Sequence, residues 1–189
     1  MKHICVLLNG GIFNDSRVIK TITTMSGTAR VDLFYANNTP RDGELFNKNV
    51  RLFPVKINYN SLWNKLLRNT LFYNQYLVFV KHALATGIRY DYIWANDLPC
   101  LKPGAIIKKK LGTKLVYDSH EIFIGTLNQF FPDTAGKLKK LLFRFFLSIM
   151  TRCGSRAERK YVRQADYFIT TSHSFRNYLA EKYNRSDIR

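Results

Sequence analysis

A doubly wound α/β domain, a parallel sheet with helices on both faces, is the fold class this sequence predicts. Three observations carry that prediction. Short apolar β-type runs recur along the chain with helical patterns between them, the alternation that builds a parallel sheet. Several of these runs are apolar throughout, as strands buried on both faces are. The third observation is the stretch Lys114-Leu115-Val116-Tyr117-Asp118-Ser119-His120-Glu121, where an apolar run ends abruptly in polar residues before Ile122-Phe123. In open α/β sheets ligands bind beyond the carboxyl ends of the strands, so such a strand delivers polar side chains into a crevice.

Taken in order, Ile4 to Leu8 predicts the first strand, followed by Asn9-Gly10-Gly11. Two glycines after a strand make either a plain tight turn or a backbone cradle for phosphate, and a bare Gly-Gly does not decide between them. Asn14-Asp15-Ser16 caps a helix that carries Val18, Ile19, Ile22 and Met25 on one face, and Ser26-Gly27 ends it. Val31 to Ala36 is the second strand, Asn37 to Asn49 a polar loop, and Val50 to Val55 the third strand. Ser61 to Thr86 reads as one long helix or two, rich in Leu, Phe and Tyr and containing Trp63.

Tyr92 to Ala95 is the fourth strand and ends at Asn96-Asp97. Pro99 and Pro103 suit the first turn of a helix that runs to Lys108-Lys109-Lys110, with Gly112 placed to stop it. The fifth strand is the stretch from Lys114. A loop containing Gly125 and Pro132 follows, then a long helix over Thr134 to Gln164 with Gly154 as a candidate break. Tyr167 to Thr170 is the sixth strand, and Ser172-His173-Ser174 caps a last helix reaching about Tyr183. The expected division is a sheet domain over 1–172 and a terminal helical segment over 173–189.

Composition narrows the class further. The 189 residues give one domain with ample length for a core, and 46% hydrophobic and 14% aromatic content exclude a disordered chain. A formal charge of +17 and a pI near 10.0 call for an anionic partner, whether nucleic acid, a phosphorylated ligand or an acidic membrane face. Cys5, Cys100 and Cys153 form no C-x-x-C pair, which argues for reduced cytosolic thiols over a zinc site or a disulfide framework. The apolar run after Lys2 is too short for a signal peptide. The densest apolar run, Leu141 to Met150, is interrupted by Arg144 and falls short of the ~18 residues a membrane span needs.

The long helix is unusual. From Lys137 to Arg163 its basic residues face a single acid, Glu158, and Leu and Phe nearly encircle its first part. A cationic helix rich in Phe and Leu has the composition of an interfacial membrane helix, and anionic lipid attracts each basic side chain by about 1 kcal/mol. A core helix with a solvated basic face is the plainer reading. The membrane reading is favoured, with Lys139, Lys140, Phe143, Arg144 and Phe146 as contact residues.

In this order of features the chain resembles the N-terminal domain of GT-B fold glycosyltransferases of family 4, a retaining group that includes lipopolysaccharide, capsule and glycolipid synthases. The resemblance runs from Lys2 to about Tyr183. It rests on Asn9-Gly10-Gly11 after the first strand, Asn14-Asp15-Ser16-Arg17-Val18, Tyr92-Ile93-Trp94-Ala95-Asn96-Asp97 and Leu115 to Glu121. Glu158-Arg159-Lys160 and Ala165-Asp166-Tyr167-Phe168-Ile169-Thr170 complete the set.

The resemblance implies a Rossmann-like, acceptor-side domain, one half of a GT-B fold, facing a second domain that holds the nucleotide-sugar. By that resemblance Gly10 and Gly11 set backbone N–H groups near the donor phosphates. His120 is the catalytic position, hydrogen-bonding the transferred sugar beside the acceptor, and Asp15, Arg17, Asp97 and Glu121 line or brace the crevice. For His120 a satisfied core histidine is the alternative, and for Asp97 a helix cap before Pro99. The implied donor is a UDP- or GDP-linked sugar and the acceptor a glycan or lipid-linked molecule. Transfer is of the hexosyl type, with no cofactor and no essential metal. The implied location is cytoplasmic, peripheral on the inner face of the cell membrane.

The family's second domain carries an acidic E-x7-E motif and the donor pocket, whereas this sequence stops at Asp187-Ile188-Arg189. The expectation is half of an active site, inactive alone. A fragment of a longer protein is favoured, and a non-catalytic membrane-associated subunit of a split glycosyltransferase is the other reading. A basic nucleic-acid-binding module would also account for the charge. However, the basic residues sit beside Leu and Phe and no RRM, KH or helix-turn-helix pattern appears, so no nucleic-acid partner is expected. A nicotinamide enzyme is disfavoured because G-x-G-x-x-G and the acid about 20 residues on are both missing after the first strand.

Overall fold

In the computed structural model the described residues are 1–12, 15–36, 45–57, 74–120 and 137–189, with backbone only at 74, 75, 137–140, 142, 143, 146 and 150. Six strands form one all-parallel sheet: β1 (Lys2–Leu8), β2 (Ala29–Ala36), β3 (Val50–Val55), β4 (Tyr92–Asn96), β5 (Lys114–Ser119) and β6 (Tyr167–Thr170). Their order is β3-β2-β1-β4-β5-β6, so the chain winds outward from the centre twice, in opposite directions. The reversal falls between β1 and β4, the switch point at which doubly wound sheets bind ligands.

Strand β1 reads as an apolar run because both its faces are covered. In β1, Cys5 and Leu7 enter one core while Val6 and Leu8 enter the other. Helix α1 (Ser16–Ser26) covers the second face, packing Val18 and Ile22 against Val31, Leu33 and Tyr35. Helices α2 (Val78–Ala85), α3 (Asp97–Leu111), α4 (Lys137–Val162) and α5 (His173–Tyr183) lie on the first. There Phe79, Leu101, Ala105, Val162 and Leu179 join Phe34, Ile93, Leu115, Tyr117 and Phe168. The result is a Rossmann-like sheet with helices on both faces.

The punctuation of the chain explains where elements stop. Gly112 takes φ 65° and donates its N–H to Lys108 O at 2.8 Å, ending α3 as a left-handed cap. Ser172 caps α5 by accepting the N–H of Phe175 at 3.2 Å. Past α5 the chain returns to the sheet edge, where Ile188 bridges to Phe168 and is buried in the same core. Arg185 holds this return by donating to Val162 O and Ala165 O at 2.9 and 3.0 Å, and it pairs with Asp187.

Two expectations about helices need correction. Pro103 lies inside α3, and only Pro99 occupies the first turn. The missing N–H of Pro103 leaves one gap in the helix ladder, and the burial of Leu101, Pro103 and Ala105 holds the helix through it. Helix α4 runs unbroken through Gly154, which is buried. Residues 37–44 of the polar loop, residues 61–73 of the helical pattern, the loop between Ile122 and Asp133, and residues 134–136 at the start of the long helical pattern lie outside the described residues.

Helix α3 lies close against β4 and β5 at Gly104. A Cβ there would lie 3.0 Å from Leu115 Cδ1 and 3.2 Å from Ala95 Cβ. Gly104→Val is therefore expected to destabilise the fold by about 1–3 kcal/mol through overpacking. A lowered urea midpoint at unchanged slope would report it.

Candidate functional site

The carboxyl ends of β1, β4 and β5 are tied together by two residues. Asn96, at 1% exposure, donates Nδ2–H to Leu7 O at 2.9 Å and so joins the end of β4 to that of β1. Asp97 follows with φ 57°, a left-handed conformation that non-glycine residues seldom adopt and that clusters at functional sites. Its Oδ1 accepts the backbone N–H of His120 at 2.9 Å, joining the start of α3 to the end of β5.

Period-2 alternation sends Leu115 and Tyr117 of β5 into the core beneath α3. Asp118 and His120 reach the other side, where they line a cleft of about 570 Å³ with Arg17 and Lys20 of α1, Trp94 of β4, and Thr170. Asp118 is buried, yet both its oxygens are used. Trp94 Nε1–H donates to Oδ2 at 3.0 Å, and His120 Nε2 lies 2.9 Å from Oδ1. His120 is only 7% exposed, and its Nδ1 is buried with no hydrogen-bond partner among the described residues.

The protonation of His120 is contested by its surroundings. Burial disfavours the imidazolium. The hydrogen bond and charge of Asp118, with the charge of Asp97, outweigh burial and the opposing charge of Arg17, so the pKa is raised above the usual histidine value. A raised folded pKa means that the contribution to stability is full below the unfolded value of about 6.5. It is then lost as pH rises through the folded value.

The structure gathers His120, Asp97 and Arg17 around this edge and gives Asp15 a supporting place. Asp15 accepts the backbone N–H groups of Arg17 and Val18 at 3.1 and 3.3 Å, and Arg17 Nε reaches the same oxygen at 3.3 Å. It caps α1 and braces Arg17, and it is not among the cleft-lining residues. Asp97 does not fill the N-cap position; Asn96 does, with no side-chain capping bond, and the Asp97 carboxylate serves the backbone of His120 instead. Gly10 follows β1 at the same edge, and a Cβ there would meet nothing within 4 Å, so close packing is not what places glycine there. Gly11 lies next to it, half-buried. Glu121 lies outside the described residues.

Sequence reasoning gave no role to Asp118, Trp94, Lys20 or Thr170. For Asp118 a signal existed, since alternation puts it on the same strand face as His120. For Trp94 none did, because the bond to Asp118 depends on how β4 and β5 pair.

On α4, Arg144 is exposed, and so are Leu141 and Phe145 at 67% and 64%. The side chains of Lys139, Lys140, Phe143 and Phe146 lie outside the described residues. Two helical turns past Phe145 the exposed Arg152 continues the stripe begun by Leu141 and Phe145, and Arg156, Arg159 and Arg163 follow at three- and four-residue spacing, so they share one helix face. Among the described residues no helix is long and apolar enough to cross a membrane.

A parallel sheet in this order is Rossmann-like, the kind of domain that GT-B glycosyltransferases pair in twos, and here a histidine and carboxylates cluster at the ends of its central strands. The chain belongs to Glycosyltransferase Family 4, whose pattern matches residues 27–189. The turn with Gly10 and Gly11, and helix α1 with Arg17, precede that match. No curated protein sequence matches the chain.

Among solved structures it is similar to sucrose-phosphate synthase from Thermosynechococcus elongatus, with a TM-score of 0.64 and 14% identity over 100% of this chain and 47% of that one. It is also similar to UGT2 of Phytolacca americana complexed with UDP-2fluoro-glucose and pterostilbene, with a TM-score of 0.57 and 11% identity over 93% of this chain and 48% of that one. A third is HepE of Anabaena in complex with UDP and glucose, with a TM-score of 0.55 and 15% identity over 98% of this chain and 43% of that one. At such identities the likeness speaks for the fold. The chain spans about half the length of these three structures.

Proposed function

We propose that this chain is the acceptor-side half of a retaining glycosyltransferase that moves a hexosyl group from a UDP- or GDP-linked donor to a glycan or lipid-linked acceptor. The observation that carries the reading is the His120 cluster at the switch point, in a chain of this family, where doubly wound sheets hold ligands. Two of the similar structures are named as holding UDP with glucose or a fluoroglucose, which supports a nucleotide-sugar as the donor class. In this reading His120 contacts the transferred sugar, while Gly10, Gly11 and the cation of Arg17 face the donor phosphates, with Asp97 and Glu121 bracing the site. Donor carboxylates and the rest of the pocket come from a second domain or partner subunit, and the 189 residues are inactive alone. The direct test is His120→Ala in the enzyme that contains both halves; transfer at the wild-type rate would remove this assignment.

The same reading places the protein at the inner face of the cell membrane. Exposed Leu141 and Phe145 beside Arg144 give α4 an apolar end, and the arginine stripe behind them suits anionic headgroups. Lys139, Lys140, Phe143 and Phe146 belong to this contact. The helix face also favours, as a second reading, a non-catalytic subunit that brings a catalytic partner to lipid. A Leu141→Glu, Phe145→Glu double variant is expected to lose flotation with phosphatidylglycerol-containing vesicles while keeping its circular dichroism. Unchanged flotation, or wild-type retention on DNA without flotation at the same salt, would overturn the membrane assignment.

A further inference from the structure

We infer that Asp118, held by Trp94, is a positioning residue that fixes the His120 ring through Nε2–H and leaves Nδ1 as the ring atom offered to a hydroxyl of the bound sugar. The last part rests on the proposed glycosyltransferase reading; the first part does not.

The hydrogen-bond inventory sets the direction of each bond. An indole Nε1–H only donates, so Trp94 fixes Oδ2 of Asp118 as an acceptor at 3.0 Å. Asp118 Oδ1 then faces His120 Nε2 at 2.9 Å, and a carboxylate there requires the proton to sit on Nε2. In the neutral ring Nδ1 is consequently a bare acceptor, and in the imidazolium it is a donor. Asp97 adds a backbone restraint through the N–H of His120 at 2.9 Å, so ring and main chain are held independently, from β5 and from α3.

Nδ1 is the one polar atom of this arrangement without a partner among the described residues, and it is buried. Buried polar atoms are almost always paired, and one left unpaired at the wall of a cleft is a place where a ligand group improves the balance. Nδ1 is covered, so a ligand reaches it by displacing the atoms over it. Arg17 and Lys20 from α1 and Thr170 of β6 line this cleft among Met25, Trp94 and Ile169, so two cations and a hydroxyl stand beside a largely apolar wall, a mix that suits a sugar ring carrying phosphate.

The test is histidine side-chain ¹⁵N NMR on the intact 189-residue chain across pH, with His120 assigned among the four histidines from the spectrum of a His120→Gln variant. In the wild type the expected result above the His120 pKa is the Nε2–H tautomer alone. Asp118→Asn is expected to lower the His120 pKa and mix the tautomers. Trp94→Phe, which keeps the carboxylate, is expected to leave the pKa raised and broaden the ring signals. An Nδ1–H tautomer in the wild type, or an Asp118→Asn spectrum with both pKa and tautomer unchanged, would overturn the inference. In the complete enzyme Asp118→Asn is expected to shift a limb of the kcat pH profile with little change in KM. If His120→Ala retains full transfer while the NMR results hold, the sugar contact fails and the positioning of the ring by Asp118 stands.

Discussion

His120→Ala, in an enzyme carrying both halves of its cleft, is expected to lower kcat by about 10²-fold, the scale on which losing alignment at a reacting centre acts. The loss falls on kcat more than on KM, because the histidine meets the sugar rather than the bulk of the nucleotide. Alanine at this position keeps the architecture. Asp97 binds the backbone N–H of residue 120 and not its ring, so the bond between the start of α3 and the end of β5 survives. Asp118 retains the indole of Trp94. The stability change is correspondingly modest and is checked by thermal unfolding alongside initial rates with the natural donor and acceptor. A variant with native unfolding and wild-type kcat would show that the ring serves the fold alone.

Strand positions were legible in the sequence because burial on both faces writes an uninterrupted apolar run. Val6–Leu8 in β1 and Leu115–Tyr117 in β5 stand where that signal puts them. Helix ends were legible where a side chain or a glycine makes the cap, as at Asp15, Gly112 and Ser172. Pro103 was misplaced because local chemistry treats proline as a boundary, whereas helix α3 is buried against β4 and β5 and tertiary packing overrides that preference.

The site was legible only in part. The polar end of β5 names His120, and the resemblance gives it a task, but nothing local connects Asp118 to Trp94 across 24 residues. That bond exists because β4 and β5 pair with Asn96 level with Asp118, a register set by the whole sheet. The left-handed Asp97 was equally hidden, since an Asn-Asp-Leu-Pro sequence reads as an ordinary cap.

Register also buries a charge at the opposite end of the sheet, and there the largest loss of stability is expected: Arg51→Met should destabilise the fold by about 3 kcal/mol near neutral pH. Asp32 of β2 is fully buried. Arg51 of β3, its direct neighbour in the ladder, grips both carboxylate oxygens from Nε and Nη2 at 2.7 and 2.6 Å. Tyr90 donates its hydroxyl at 2.8 Å, and His3 Nε2 lies 3.4 Å away. Burial alone would push the Asp32 pKa up. The bonds from Arg51 and Tyr90, then the charge of Arg51, outweigh burial and hold it below the usual carboxylate value.

A depressed folded pKa contributes stability that is present above the unfolded value of about 3.9 and is lost as pH falls through the folded one. Without Arg51 the carboxylate is stranded. The deficit is therefore largest near neutrality and shrinks toward acid, where Asp32 takes up a proton. The low end of the roughly 3–5 kcal/mol range applies because the Arg51 side chain is 51% exposed and water replaces part of its role. Methionine preserves contact with the ring of Phe53, over which the guanidinium now lies at 5.5 Å, so the measured loss reports charge rather than packing. Urea midpoints at about pH 7 and about pH 4 decide the matter. An equal deficit at both, or one within the ~0.5 kcal/mol of an ordinary surface substitution, would mean that Arg51 is not what keeps Asp32 ionised. Replacing both partners, as Asp32→Leu with Arg51→Met, should recover most of the loss, because an apolar pair leaves no buried charge to satisfy.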